Sequence, residues 1–137
     1  MKNGCIIPTF KYKNASAAMD WLCDVLGFKK HMVVDGAPGK IAHAQLTFGN
    51  SMIMLGSTDD NEYGKLVKTP NELDGFNTQS PYIIVEKIEN HYEHAKANGA
   101  KIILPLTEQD YGGKLYTCRD PEGNIWNFGS YNPWVSE

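Results

Sequence analysis

Polar side chains alternate along one predicted strand near the middle of the chain. His43, Gln45 and Thr47 occupy every second position, and the positions between them, from Ala42 to Phe48, are apolar. Because successive side chains of a strand point to opposite faces, the polar three share a face that we expect to front a cavity or solvent, while the apolar face packs under a helix. His43 is suited to act as a base or a hydrogen-bonding group near neutral pH. A histidine that is satisfied within the fold, or exposed to solvent, is the alternative.

The segment DPEGNIWNFG, residues 120–129, contains a second candidate. Its first half is rich in turn residues, and a strand is predicted to start at Asn124. Trp126 and Phe128 then share one face, which we predict to be core under a helix. Asn127 lies on the other face, where it is either hydrogen-bonded within the protein or an amide that contacts a ligand.

Together these side chains predict a small-molecule cavity. Apolar walls with a few polar groups are typical of such pockets. No catalytic residue is assigned, because the sequence shows no recognisable Ser-His-Asp or Cys-His arrangement. The residues that we expect to bind the ligand are His43, Gln45, Met54, Tyr82, Tyr116 and Asn127.

Three other groups carry weaker chemical signals. His91 and His94 are three residues apart on a predicted helix, but no third metal ligand is evident, so we expect a solvated helix face. Arg119 is expected to pair with Asp120 rather than with an anionic ligand. Cys118 is expected to be a buried thiol.

Composition and charge narrow the class of protein. The chain has 137 residues, 42% of them hydrophobic and 21% charged, which is typical of one soluble globular domain. A net charge of −3 provides no basic excess for binding nucleic acid. Three cysteines without CxxC spacing indicate reduced thiols, and no segment reads as a signal peptide or a membrane span. We therefore expect a cytoplasmic protein that binds neither nucleic acid nor membrane.

The chain repeats one pattern of landmarks. The glycines expected to end helices, Gly27 and Gly99, are 72 residues apart, and those expected to end strands, Gly56 and Gly129, are 73 apart. The turn dipeptides at 49–50 and 123–124 are 74 apart. A nearly constant offset indicates two copies of one module.

Each copy shows the same order of predicted elements: one strand, one helix and three strands. In the first copy the predicted elements are a strand at 5–12, a helix at 15–26 capped by Asn14, and strands at 28–34, 41–48 and 51–55. In the second copy they are a strand at 82–86, a helix at 88–98, and strands at 101–106, 114–119 and 124–130.

We predict one α+β domain over residues 1–137. It contains a first module at 5–56, a polar linker at 57–79 and a second module at 80–131. The linker is long enough to serve as a lid or a partner contact. Two helices cannot cover both faces of eight strands, so we expect them on the outer face, with the other face around a cavity or against a second subunit.

Three stretches of the sequence carry a resemblance to a known family. AAMDWLCDVLGF, HAQLTFGNSMIMLG and YGGKLYTCRDPEGNIWNFG occur in that order, and the similarity extends over about residues 5–131. The chain resembles the vicinal oxygen chelate superfamily of glyoxalase I, bleomycin-resistance proteins and extradiol dioxygenases, and in particular its small glyoxalase-like subgroup. The resemblance implies paired βαβββ modules that form an incomplete eight-stranded barrel around a small-molecule site.

The family's metalloenzymes imply where a divalent metal would bind. Their ligands come from the first and last strands of each module, typically as His and Glu. The corresponding positions here are Ile7, Met54, Ser80 and Asn127. A catalytic zinc, nickel or iron site needs about three ligands drawn from His, carboxylate or Cys, so we predict no cofactor, although an atypical metal site stays open.

Three functions compete on these observations. A protein that binds a small molecule without the family metal, in the manner of the bleomycin-resistance branch, is favoured, and the resemblance implies a homodimer. A metal-dependent glyoxalase-type lyase or isomerase, or a dioxygenase, with atypical ligands is the first alternative. A structural or regulatory dimer without a ligand is the second.

Overall fold

The computed structural model describes residues 3–135 and divides the chain into two units between Thr69 and Pro70. Each unit contains one α-helix and one four-stranded mixed sheet. The βαβββ order predicted for each half is confirmed, and the eight strands form two sheets of four rather than a closed barrel. None of the helices in the described part of the chain has the length and apolarity needed to cross a membrane.

The first unit has β1 as one edge of its sheet and β2 as the other. Its elements are β1 (Thr9–Tyr12), α1 (Ala15–Leu26), β2 (Lys29–Asp35), β3 (Ile41–Phe48) and β4 (Ser51–Ser57). The strand order is β1-β4-β3-β2, in which β1 runs parallel to β4 and the other neighbours are antiparallel. The hairpin from β3 to β4 turns at Gly49-Asn50, as predicted, with Gly49 at a φ of 57°.

The second unit repeats this arrangement. Its elements are β5 (Tyr82–Ile84), α2 (Ile88–Ala97), β6 (Lys101–Glu108), β7 (Lys114–Arg119) and β8 (Ile125–Gly129). The strand order is β5-β8-β7-β6, and β5 runs parallel to β8. The same connectivity therefore builds both sheets.

Helix α1 has the limits that its sequence predicts. The Asn14 side chain accepts a hydrogen bond from the backbone N of Ala17 at 3.1 Å, which satisfies one of the free donors of the first turn. Gly27 ends the helix in the left-handed conformation at a φ of 90°. The buried side chains of α1 are Ala15, Ala18, Met19, Leu22, Val25 and Leu26.

Three strands are shorter than predicted, and one of them, predicted at 82–86, ends at Ile84. The first begins at Thr9 rather than at residue 5, since proline at position 8 has no N–H to donate to a ladder, although its carbonyl accepts from Met54 N at 3.0 Å. The last begins at Ile125 rather than at Asn124, whose backbone N donates to the Asp120 carboxylate within the turn. The backbone N of Asn124 therefore bonds within the turn instead of joining the strand ladder.

Each helix covers one face of its own sheet, and the core of each unit lies between them. In the first unit the buried strand residues include Ala44, Leu46, Ile53 and Leu55. In the second, Trp126 and Phe128 are fully buried, so their prediction as core is confirmed. We call the opposite face of each sheet its helix-free face.

The sequence repeat extends to individual hydrogen bonds at an offset of 73. Met54 N donates to the carbonyl of Pro8 at 3.0 Å, and Asn127 N donates to that of Pro81 at 3.1 Å. Backbone N atoms of the third strand of each unit donate to a serine hydroxyl: Ile41 to Ser57 at 2.8 Å, and Lys114 to Ser130 at 2.9 Å. Equivalent residues thus perform equivalent structural roles in both units.

The expected linker belongs to both units. Its second half, which contains a 3₁₀ helix at Pro70–Leu73, is fixed to the turn between β7 and β8. Asn77 donates to the carbonyl of Gly123 at 3.0 Å and accepts from Ile125 N at 3.0 Å. Arg119, which we expected to pair with Asp120, donates to the carbonyls of Gly75 and Gly123 at 2.8 and 2.9 Å. This half of the linker is therefore part of the second unit.

Candidate functional site

A groove opens on the sheet of the first unit and brings together two of the predicted ligand-binding residues, His43 and Met54. Its volume is about 310 Å³, within the range of small-molecule sites. Met54 pairs with Thr9 on one side and with Gln45 on the other, so these three share the helix-free face. The lining residues are Thr9, Phe10, Lys11, Ala42, His43, Met54, Leu55, Gly56 and Tyr63.

A β-bulge at Ala42 sets the position of His43. Strand β2 pairs Val34 with His43 and Asp35 with Ile41, so that Ala42 has no partner in β2. Bulges add one residue to a strand and re-aim the side chains next to it. The strict alternation predicted for this strand therefore fails at Ala42, which is exposed instead of packing under the helix.

His43 is half-buried and linked to Gln45. Its Nε2 lies 3.1 Å from Nε2 of Gln45. Because a side-chain amide nitrogen only donates, we assign Nε2 of the neutral imidazole as the acceptor and Nδ1 as the protonated nitrogen. The contact fixes the rotation of the ring and leaves Nδ1–H as a donor.

Lys11 brings a basic side chain to the groove. Its Nζ lies 5.8 Å from the centroid of the Tyr63 ring, within the range of a cation–π contact. Lys11 pairs with Gly56, and a Cβ on that glycine would lie 3.4 Å from Nζ and 3.0 Å from the carbonyl oxygen of Ala42. The missing side chain of Gly56 therefore makes room for the ammonium group.

Three of the groove's polar residues were missed by sequence reasoning. Thr9 and Lys11 lie on a strand that we predicted, and alternation along it places both on one face with Lys11 as an evident charge. This alternation could have identified both residues from the sequence. Tyr63 lies in the linker, where no local pattern indicates which side chain turns back onto the sheet.

The second unit has a different side chain where its own groove would be. Tyr82 replaces Thr9 at the offset of 73 and pairs with Asn127. Its hydroxyl donates to the carbonyl of Tyr131 at 2.7 Å, and a Cβ on Gly129 would lie only 2.5 Å from the Tyr82 hydroxyl oxygen. The ring therefore lies directly over Gly129. Burial raises the pKa of Tyr82, and nearby Tyr111 adds to the effect.

The Asn127 amide is hydrogen-bonded at both ends within the second unit. Its Nδ2 donates to Ser80 Oγ at 3.2 Å and to the carbonyl of Pro81 at 3.1 Å. Its Oδ1 accepts from Thr117 Oγ1 at 2.8 Å. The sequence left two alternatives open for Asn127, and the structure shows the internal hydrogen bonds. A ligand contact by Asn127 stays a prediction.

Tyr116 lies on the helix side of its sheet, so our expectation that it lines the cavity is corrected. It is fully buried, its hydroxyl is 2.7 Å from Nδ1 of His91, and its ring stacks on Phe128 at 5.5 Å between centroids. His91, which we expected to be solvated, is half-buried against Phe128, with ring centroids 4.3 Å apart. His94, in contrast, is exposed.

An inserted residue explains the error at Tyr116. Between the equivalent pairs Thr47–Met52 and Arg119–Ile125, the chain has four residues in the first unit and five in the second. The offset therefore falls from 73 to 72 in β7, and Tyr116 corresponds to buried Ala44. A shift of one residue moves a side chain to the opposite face of a strand.

The positions that correspond to the family's metal ligands do not fit a divalent metal. Ile7 has no donor atom, Met54 offers a thioether, and Ser80 and Asn127 are hydrogen-bonded to each other. Across residues 3–135, no group of three or more His, Cys, Asp or Glu side chains is placed to hold an ion.

The chain belongs to the Glyoxalase/Bleomycin resistance protein/Dioxygenase superfamily, whose family model matches residues 10–128. The resemblance seen in the sequence is thereby confirmed. An uncharacterised protein from Mycobacterium bovis, Mb0911c, is 25% identical over 122 residues, which cover 89% of this chain and 80% of that protein.

Solved structures show the same fold. TioX from Micromonospora sp. ML1 is 27% identical with a TM-score of 0.74, over 95% of this chain and all of TioX. A mutant of the fosfomycin resistance protein FosX from Listeria monocytogenes, solved with Mn(II) and 1S,2S-dihydroxypropylphosphonic acid, is 14% identical with a TM-score of 0.64. That similarity covers 97% of this chain and 94% of FosX and concerns the fold alone.

Proposed function

We propose that this protein binds a small organic molecule in the groove of its first unit, without the metal of its family's enzymes. The observation that carries the proposal is the groove itself. It combines apolar surface from Met54 and the Tyr63 ring with polar groups on Thr9, Lys11 and His43. A small number of placed polar groups within apolar walls is the usual composition of a ligand site.

The donor chemistry supports binding without a metal. FosX holds Mn(II), whereas this chain has Ile7, Met54, Ser80 and Asn127 at the positions that the family resemblance assigns to ligands. Neutral side chains of these types bind a divalent cation weakly compared with carboxylate or imidazole. The groove's own groups, Lys11 and His43, are hydrogen-bond donors suited to an organic ligand.

The test closes the groove with the side chain that the second unit already uses. Thr9→Tyr places a tyrosine where Tyr82 lies in the other copy, and Thr9→Val is the matched control. A fragment library is screened by amide chemical shifts of the ¹⁵N-labelled protein. We expect compounds that shift the amides of Met54 and Gly56 in the unmodified protein and in Thr9→Val, but not in Thr9→Tyr.

Two outcomes count against the proposal. A screen in which no compound shifts the groove amides would overturn it. So would one tightly bound metal ion per chain in protein purified without chelator, because that result favours the metal-dependent lyase, isomerase or dioxygenase. Thermal denaturation of Thr9→Tyr shows separately that the variant is folded.

The homodimer also stays a proposal. Its support is the exposed apolar segment Met32, Val33 and Val34 on edge strand β2. Unpaired strand edges with apolar side chains favour association with another chain. Analytical ultracentrifugation that finds a monomer at micromolar concentration would contradict it.

A further inference from the structure

We infer that the groove of the first unit selects a small organic anion, and that the Lys11 ammonium group binds its charged end. This inference rests on the proposed function, because it names the class of ligand for the same groove. Its basis is the charge of the groove compared with the charge of the chain as a whole.

The groove differs in charge from the rest of the protein. The chain carries a net charge of −3. Among the described residues that line the groove, Lys11 is the one lysine or arginine, and no carboxylate is present. A local positive charge on an acidic protein directs an anion to that place rather than to the general surface.

Lys11 is placed to receive an external anion. The ion pairs Lys30–Asp20 and Lys114–Glu89 do not include Lys11. Its Nζ lies 5.8 Å from the centroid of the Tyr63 ring and 3.4 Å from the position that a Cβ on Gly56 would take. A half-buried charge is screened by water less than an exposed one, so an anion that reaches it is bound more strongly.

Neighbouring groups define the rest of the ligand. Thr9 supplies a hydroxyl and His43 an N–H, so a carboxylate or phosphonate held by Lys11 has two further donors nearby. Met54 and the Tyr63 ring offer apolar contact to the body of the molecule. The class is therefore an organic acid with a compact anionic group and an apolar, planar body.

The second unit lacks this arrangement, which confines the inference to the first. At the offset of 73, Ile84 takes the place of Lys11 and Tyr82 takes that of Thr9. The repeated backbone therefore carries the cation in one copy only.

The test uses two probes of the same shape, 2-naphthoate and 2-naphthamide. Each is titrated at pH 7 into the ¹⁵N-labelled full chain, and the amide shifts of Met54 and Gly56 report binding in the groove. We expect the acid to bind about tenfold more tightly than the amide, as a charge-assisted hydrogen bond to a half-buried ammonium predicts.

Lys11→Met keeps the length of the side chain and removes its charge. It should abolish the preference for the acid and leave binding of the amide unchanged. Lys11→Arg should keep the preference, and Lys29→Met, on the same sheet, is the control for net charge. The Lys11→Arg variant also shows whether a loss in Lys11→Met comes from the charge or from the fold.

The outcomes separate the two proposals. Equal binding of both probes in the groove, unaffected by Lys11→Met, would overturn the anion inference and leave the proposed function standing. Tighter binding of 2-naphthamide than of 2-naphthoate would also overturn the anion inference and leave the proposed function standing. If neither probe shifts the groove amides, while the fragment screen finds other ligands there, only the anion inference fails.

Discussion

The two units share a backbone and differ in what occupies their helix-free faces. In the second unit, Tyr82 covers Gly129, and the Asn127 amide is engaged by its own neighbours. In the first, Thr9 and Gly56 occupy the equivalent positions and a groove remains. A duplicated module can therefore keep its hydrogen-bond plan while a tyrosine covers the glycine in one copy and a groove remains at that place in the other.

The helix-side cores of the two units differ as well, and this difference predicts the largest change in stability. The helix-side core of the second unit contains Tyr116 and Cys118, whose counterparts in the first are Ala44 and Leu46 at the offset of 72. Burial raises the pKa of the Cys118 thiol from 9.0 to about 12, and Asp120 adds to the effect. Burial likewise raises the pKa of Tyr116.

These shifts predict that alkaline pH destabilises the protein through its second unit. A raised folded-state pKa contributes stability that is complete below the unfolded value and is lost as the pH rises towards the folded value. Between pH 9 and 11 we expect the free energy of unfolding to fall by about 2–3 kcal/mol from Cys118 alone. Urea denaturation at each pH measures this fall.

Cys118→Val and Tyr116→Phe serve as the matched variants. Cys118→Val should reduce the pH dependence of the free energy of unfolding between pH 9 and 11. Tyr116→Phe should reduce it only above about pH 10, where an exposed tyrosine begins to ionise. A dependence unchanged in both variants would show that other groups cause alkaline unfolding and that the two cores do not differ in this respect.

A smaller effect is expected from the glycine beneath Tyr82. In Gly129→Ala the new methyl group would meet the Tyr82 hydroxyl oxygen at 2.5 Å and Cε1 at 2.7 Å, so the ring must move. We expect a loss of about 1–3 kcal/mol in the free energy of unfolding, as for overpacking in general. In a Tyr82→Ala background the same substitution should cost much less.

The first unit provides the comparison for this pair. A Cβ at Gly56 would approach the backbone oxygen of Ala42 at 3.0 Å, so Thr9→Ala should not relieve Gly56→Ala. Double-mutant cycles measured by urea denaturation should give a coupling energy for positions 82 and 129 and none for 9 and 56. Equal coupling in both units would mean that Tyr82 is not what distinguishes them.

The sequence predicted the elements better than it predicted the site. Asn14, Gly27 and the Gly49-Asn50 turn act locally. As predicted, Asn14 begins helix α1, Gly27 ends it, and the turn reverses the chain. Tyr116 was placed on the wrong face because one extra residue in a turn reverses the facing of a strand. Such an insertion becomes visible only when the pairing register is known.

The groove shows the same limit in another form. His43 and Met54, which line the groove, were predicted by alternation and by the repeat, whereas Tyr63 reaches Lys11 from a linker with no periodic pattern. The bulge at Ala42 depends on how two neighbouring strands pair with it, which is a tertiary property. Contacts of this kind cannot be predicted from the local sequence.

The helices carry the smallest expected difference between the units. Asn14 caps α1 with its side chain, whereas α2 begins after Lys87 with no side-chain cap. Lys87→Asn should therefore stabilise the second unit by about 0.5–1 kcal/mol, and Asn14→Ala should destabilise the first by a similar amount. Because Glu89 already favours the first turn of α2, the gain from the new cap should stand at the lower end of this range. Urea denaturation of both variants measures the two changes in the free energy of unfolding. A loss of stability in Lys87→Asn would show that packing of the Lys87 stem contributes more than the new cap adds.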